Sequence, residues 1–178
     1  MEKFDVAIRP RVDDPLGLFD QRLITTQKMQ LYASEEYVSK HGAPSSPEDL
    51  PHHKLLGYGE GVDYPYSEIN WHLYLASIKI NPTFNINSGP GILRAVENGI
   101  GIGPISNIGA TISRVPLVPI LPSIKGPLVS WYFIVDKTTA NSEKVKLLYA
   151  HLQKRFQSSV SYSKAPSVEI HSNKNIRA

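Results

Sequence analysis

The chain has 178 residues, enough for one ordinary domain or two small lobes, and its 41% hydrophobic and 20% charged residues are ordinary globular proportions. It contains no cysteine, which excludes disulfides, thiolate metal sites and cysteine nucleophiles. The net charge is +3, but Lys164, Lys174 and Arg177 against Glu169 place two of those charges after Phe156, so the body lacks the concentrated basic face of a DNA-reading domain.

Met1-Glu2-Lys3-Phe4-Asp5 shows no charged-then-apolar leader, and no apolar run reaches the length of a membrane span, so the expected compartment is the cytoplasm. Phe4 to Ile8 reads as a strand ending at Arg9-Pro10, followed by a solvated turn at Asp13-Asp14. Leu23 to Ala33 is extended. Ser34 then caps a short helix that Glu35 and Glu36 favour and Gly42 stops, and Pro47 to Leu50 predicts one more helical turn. Lys54 to Tyr58 and Glu68 to Leu75 read as strands. Thr83 to Asn87 alternates as a strand should, and Ser88 caps a helix with Ile92, Leu93 and Val96 on one stripe, ended by Gly99. Ile100 to Ile105 suits a buried strand closely approached by its neighbours, and Ser106 caps a second short helix through Ile112. Val115 to Leu121 and Leu128 to Asp136 are predicted strands. Asn141 to Phe156 is a predicted amphipathic helix, and the Ser-rich residues 157–178 form an expected disordered tail. The alternation of strands and helices predicts an α/β protein with mostly parallel sheets.

Three segments together resemble one known family. They are Tyr32 to Pro44 with Pro47-Glu48-Asp49-Leu50 and His53; Ala95-Val96-Glu97-Asn98-Gly99-Ile100-Gly101-Ile102-Gly103; and Leu117-Val118-Pro119-Ile120-Leu121-Pro122. With Phe4 to Arg9 and Trp71 they look like the substrate-binding domain of LysR-type transcriptional regulators, in the family's order. The resemblance implies an α/β, periplasmic-binding-protein-like (type II) architecture of two lobes. Residues 26–121 would form a complete second lobe, and residues 1–25 and 122–156 part of the first. It implies a chain without the family's helix-turn-helix, unable to bind DNA by itself, that senses a small-molecule effector, often an organic anion. With its opening strands missing, the first lobe is expected to be either poorly ordered or completed by self-association as a homo-oligomer. As a sensor the chain would work by lobe closure about the two crossover segments, near Thr25 and Leu121. A transport solute-binding protein and a ligand-free dimerising fragment are the alternatives.

In open α/β folds, ligands bind beyond strand ends, where helix N-termini face a crevice. Candidate effector contacts are therefore Arg9, whose guanidinium could clamp a carboxylate; Asn87, Ser88 and Gly89 between a strand and its helix; and Pro104, Ile105 and Ser106 in the corresponding turn. Ser88 and Ser106 also serve as helix caps, and Arg9 suits a surface ion pair. No catalytic residue, metal or cofactor is expected. Gly99-Ile100-Gly101-Ile102-Gly103-Pro104 follows a helix and leads into a strand, the reverse of a dinucleotide loop, and Pro104 stands at the last glycine position. His52 and His53 are adjacent and point apart, without the spacing of a metal site. There is no Gly-x-Ser-x-Gly elbow.

Overall fold

The computed structural model describes residues 5–59 and 68–162. Its seven strands are β1 (Val6–Arg9), β2 (Phe19–Ser34), β3 (Leu56–Gly57), β4 (Phe84–Asn85), β5 (Gly103–Ser106), β6 (Leu117–Ile120) and β7 (Leu128–Asp136). The helices are α1 (Glu35–His41), α2 (Gly89–Glu97), α3 (Asn107–Thr111) and α4 (Glu143–Tyr162), with 3-10 turns at Pro47–His52 and Trp71–Tyr74.

The organising element is β2. Its 16 residues reach roughly 50 Å at about 3.3 Å per residue, longer than a typical strand. From Phe19 to Lys28 it pairs with β7, whose other edge carries β1. From Met29 onward it changes partners, with β5 against Met29 to Tyr32 and β6 against Leu31 to Ser34. One strand thus threads two sheet halves.

Alternation along β2 divides the packing around its second half. Leu31 and Ala33 enter a core with Tyr37, Leu50, Leu55, Ile102 and Ile120, whereas Tyr32 packs against a second core of Leu56, Ile92, Leu93, Val96 and Ile105. A third cluster, Phe133, Val135, Ala140 and Val145, joins β7 to α4. The run after α2 is as tightly approached as its small residues suggest: a Cβ on Gly103 would stand 2.8 Å from a methyl of Ile92.

Three expectations need correction. The strands of the main sheet are antiparallel, not mostly parallel; among the described residues, parallel pairing is confined to β3 with β4 and the Leu55–Ile102 bridge. The helix-linked units are real between β4 and β5, but β2 runs through both halves against β5, β6 and β7 alike. Glu68 to Leu75 contains a 3-10 turn rather than a strand. His72 and Leu73 are neighbours and both buried, which strand alternation could not give, and the Leu73 amide bonds the Asn70 carbonyl at 3.0 Å. Finally, α4 runs on to Tyr162, so residues 157–162 of the expected disordered tail are helical. The rest of that tail lies outside the described residues. No described helix is long and apolar enough to cross a membrane.

Candidate functional site

Where β2 changes partner, a cavity of about 360 Å³ opens. Its floor comes from β2 and β7 through Gln27, Met29, Val129 and Trp131. Its walls are the start of α2 (Asn87, Ser88, Gly89, Pro90, Leu93, Arg94) and the β5–α3 corner (Pro104, Ile105, Ser106, Gly109, Ile112), closed by Tyr58 and Ile69.

The two helix starts are built alike. Ser88 is extended at φ −146°, and its Oγ accepts the Gly91 amide at 3.1 Å; Ser106 Oγ accepts the Gly109 amide at 2.9 Å. Each hydroxyl thus satisfies a first-turn donor that has no intrahelical acceptor. Pro90 has no amide hydrogen to offer. The α3 start is tied to the crossing strand as well, because Asn107 Oδ1 accepts the Lys28 amide at 2.9 Å.

Arg94 is the sole charged side chain among the described lining residues. Its Nη1 donates to Glu97 Oε2, and Glu97 Oε1 accepts the Arg114 amide at 2.8 Å and Ser113 Oγ at 3.1 Å. The Arg114 amide, with Arg94 and Ser113 adding, holds the Glu97 carboxyl below the usual carboxylate range against the effect of burial. The remaining wall is mostly apolar or aromatic.

Six of the seven residues singled out in the sequence therefore share one cavity: Asn87, Ser88, Gly89, Pro104, Ile105 and Ser106. Arg9 does not join them. It is exposed on β1, directly opposite Tyr132, so alternation along β7 puts it on the other face of the sheet from Trp131. Tyr58, Gln27, Met29, Arg94, Val129 and Trp131 were not foreseen. Trp131 and Val129 share the strand parity of the buried Phe133 and Val135, a signal that marks one face of β7 without saying what it meets.

A second, more open space lies at Arg11, Asp13, Asp14, Phe19, Gln21 and Lys137. Asp14 there accepts the amides of Leu18 and Phe19 at 2.8 and 2.9 Å, and these bonds hold its carboxyl low; it closes a turn rather than facing a ligand. His53, within the resemblance, meets the Tyr37 hydroxyl at 3.3 Å, and that hydroxyl also accepts the Lys54 amide, a structural use.

The family profile described as LysR substrate binding domain matches residues 1–157. The chain belongs to this family. The HTH-type transcriptional regulator CrgA of Neisseria meningitidis serogroup C is 33% identical over 124 residues, 67% of this chain and 40% of that protein. An uncharacterized HTH-type transcriptional regulator of Haemophilus influenzae is 29% identical over 134 residues, covering 70% and 43%. The chain thus spans less than half the length of these curated relatives. The solved regulatory domain of CrgA from Neisseria meningitidis aligns with a TM-score of 0.69 at 23% identity, over 85% of this chain and 75% of that one. The regulatory domain of an AphB variant from Vibrio vulnificus aligns at 0.61 and 25% identity, over 84% and 76%. The periplasmic-binding-protein-like (type II) α/β fold is shown by this likeness, and the LysR-type chain is an effector-binding domain.

Proposed function

We propose that this domain senses a small molecule in the cavity at the β2 crossing and reports occupancy by closing the two sheet halves on each other. The observation that carries the reading is the composition of the cavity wall. Residues before the partner change (Gln27), residues after it (Met29, Ile105) and residues from β7 (Val129, Trp131) all line one space. A ligand touching all of them has differential affinity for the closed arrangement, which is what biases a two-state equilibrium. The hinge would consist of β2 at Lys28–Met29 and residues 121–127, and we place the division between lobes there.

Transcription regulation, a cytoplasmic setting and self-association belong to the same reading, supported by the relatives' names and by exposed apolar side chains such as Ile8, Leu18 and Leu23 beside the β1 half. DNA reading is assigned outside these residues, and a gel-shift with duplex DNA tests that assignment. The domain acts by binding rather than catalysis: Glu97, the carboxylate beside Arg94, is committed to Arg94, Ser113 and Arg114.

A thermal-shift screen of small metabolites tests the sensor. A ligand of the folded state stabilises by RT ln(1 + [L]/Kd), about 2.7 kcal/mol at a hundredfold excess over Kd. The expected result is a concentration-dependent rise that Ile105→Trp, which fills the cavity, abolishes. A rise that survives the filled cavity would move the site elsewhere.

A further inference from the structure

We infer that the occupant of this cavity is an apolar, ring-sized molecule carrying little or no charge, rather than a multiply charged organic acid. The inference rests on the sensor reading and adds the chemical class of the ligand. Three independent features of the wall point the same way.

The first is its charge balance. A di- or tricarboxylate leaving water needs cations or several free donors in compensation. Among the described lining residues the single cation is Arg94, and it is already paired with Glu97, whose side chain is only 5% exposed against 40% for Arg94. Glu97 is held in turn by Ser113 and Arg114, so it does not swing aside to release the guanidinium. An incoming anion would meet a neutral pair.

The second is the state of the helix start. The N-terminus of α2 would be the natural anion seat, with its amides and dipole directed at the ligand. Here the Gly91 amide is taken by Ser88 Oγ, the Ile92 amide by the Ser88 carbonyl at 3.0 Å, and Pro90 contributes none. Of the leading amides, those of Ser88 and Gly89 are used by no intrahelical or capping bond, too few to balance a di- or tricarboxylate.

The third is what remains of the wall. Met29, Ile69, Leu93, Ile105, Val129 and the half-buried Trp131 surround the space, with Gln27, Asn87 and the Ser88 and Ser106 hydroxyls as its few neutral polar groups. An enclosure of about 360 Å³ sits at the small end of ligand pockets. An aromatic wall of this kind favours a flat ring, stacked or edge-on, and a few neutral polar groups orient it.

The test is calorimetry and thermal shift on the full chain at moderate salt, with 1-naphthol and benzyl alcohol as neutral ring probes and succinate and citrate as anionic ones. The expected result is saturable binding of the neutral probes, at least tenfold tighter than of either anion. Trp131→Ala and Ile105→Trp should each weaken the neutral affinity at least tenfold. Trp131 is half-buried, so its truncation serves if the filled cavity does not fold. Tighter binding of succinate or citrate, lost in Arg94→Gln, overturns the ligand class and leaves the sensor standing. Neutral-probe binding indifferent to both cavity variants, or no binding by any probe, overturns the inference and counts against the cavity as the sensing site.

Discussion

Met29 is gripped on two sides by the chain that returns from β6 to β7. Its amide donates to the Pro127 carbonyl at 3.0 Å, and its own carbonyl oxygen lies 2.5 Å from the place a Cβ on Gly126 would occupy. The same missing Cβ would come within 2.7 Å of the Trp71 ring. The two crossings of the backbone therefore touch, and they touch only because residue 126 has no side chain. Gly126→Ala should cost about 1–3 kcal/mol as an overpacking change, read as a lower urea midpoint with unchanged slope. Because this contact sits at the proposed hinge, effector affinity should change as well. An unaltered midpoint would mean that the returning segment backs away freely and does not clamp β2.

A second prediction concerns acid. His72 is fully buried, its Nε2–H donates to the Leu56 carbonyl at 2.8 Å, and burial pushes its pKa down to about 4. The folded state therefore resists a proton that the unfolded chain accepts near pH 6.5. Stability should be flat above about pH 6.5 and fall as pH drops from there toward 4, by at most roughly 3 kcal/mol at 1.36 kcal/mol per unit. His53, lowered by burial in the same direction, adds to the slope. Carboxylates held low, Glu97 and Asp14 among them, keep their contribution above the usual carboxylate range and lose it only in stronger acid. Urea titrations at pH 7 and pH 5 should show a smaller stability difference in His72→Gln than in the parent; equal differences would remove His72 as the cause.

Much of this was legible from the chain, and the limits have a common origin. The helix starts at Ser34, Ser88 and Ser106 were readable because capping is local: one hydroxyl, one amide three residues on. The stripe of Ile92, Leu93 and Val96 was readable because periodicity is local too, and β7 was placed to the residue. What was not readable depends on partners distant in sequence. The direction of the sheet followed from β2 threading both halves, a property of pairing rather than of the strand's own residues. Arg9 was expected at the site because it ends a strand, but pairing with β7 set its face, and nothing in Val6 to Arg9 encodes that register. Trp131 and Tyr58 were missed for the same reason.

The capping serines permit a sharper separation of roles. Ser88→Ala and Ser106→Ala should each lower stability by about 1 kcal/mol, because a first-turn amide loses its acceptor. Ser88→Gly should cost only a few tenths. Each Oγ can accept its amide and still donate its own hydrogen into the cavity. If capping is all these hydroxyls do, ligand affinity measured well below the unfolding transition should shift by less than about threefold. A tenfold loss in either alanine variant would assign the hydroxyl a direct bond to the ligand.

Arg9 carries the last prediction. Placed at the end of a strand, its guanidinium has the chemistry to clamp a carboxylate, and from sequence alone Arg9→Ala is expected to weaken such an effector more than tenfold. The fold separates it from the cavity by the thickness of the sheet: Arg9 and Leu23 flank Tyr132 on one face, while Trp131 and Val129 face the other way. Arg9→Ala should therefore leave effector affinity within about twofold, and as an exposed substitution away from packed features it should move stability by no more than roughly 0.5 kcal/mol. Titration of the variant with whichever probe binds the parent settles the matter. A tenfold loss there would require β1 to reach around the sheet edge to the ligand, and the cavity would then have to be redrawn to include it.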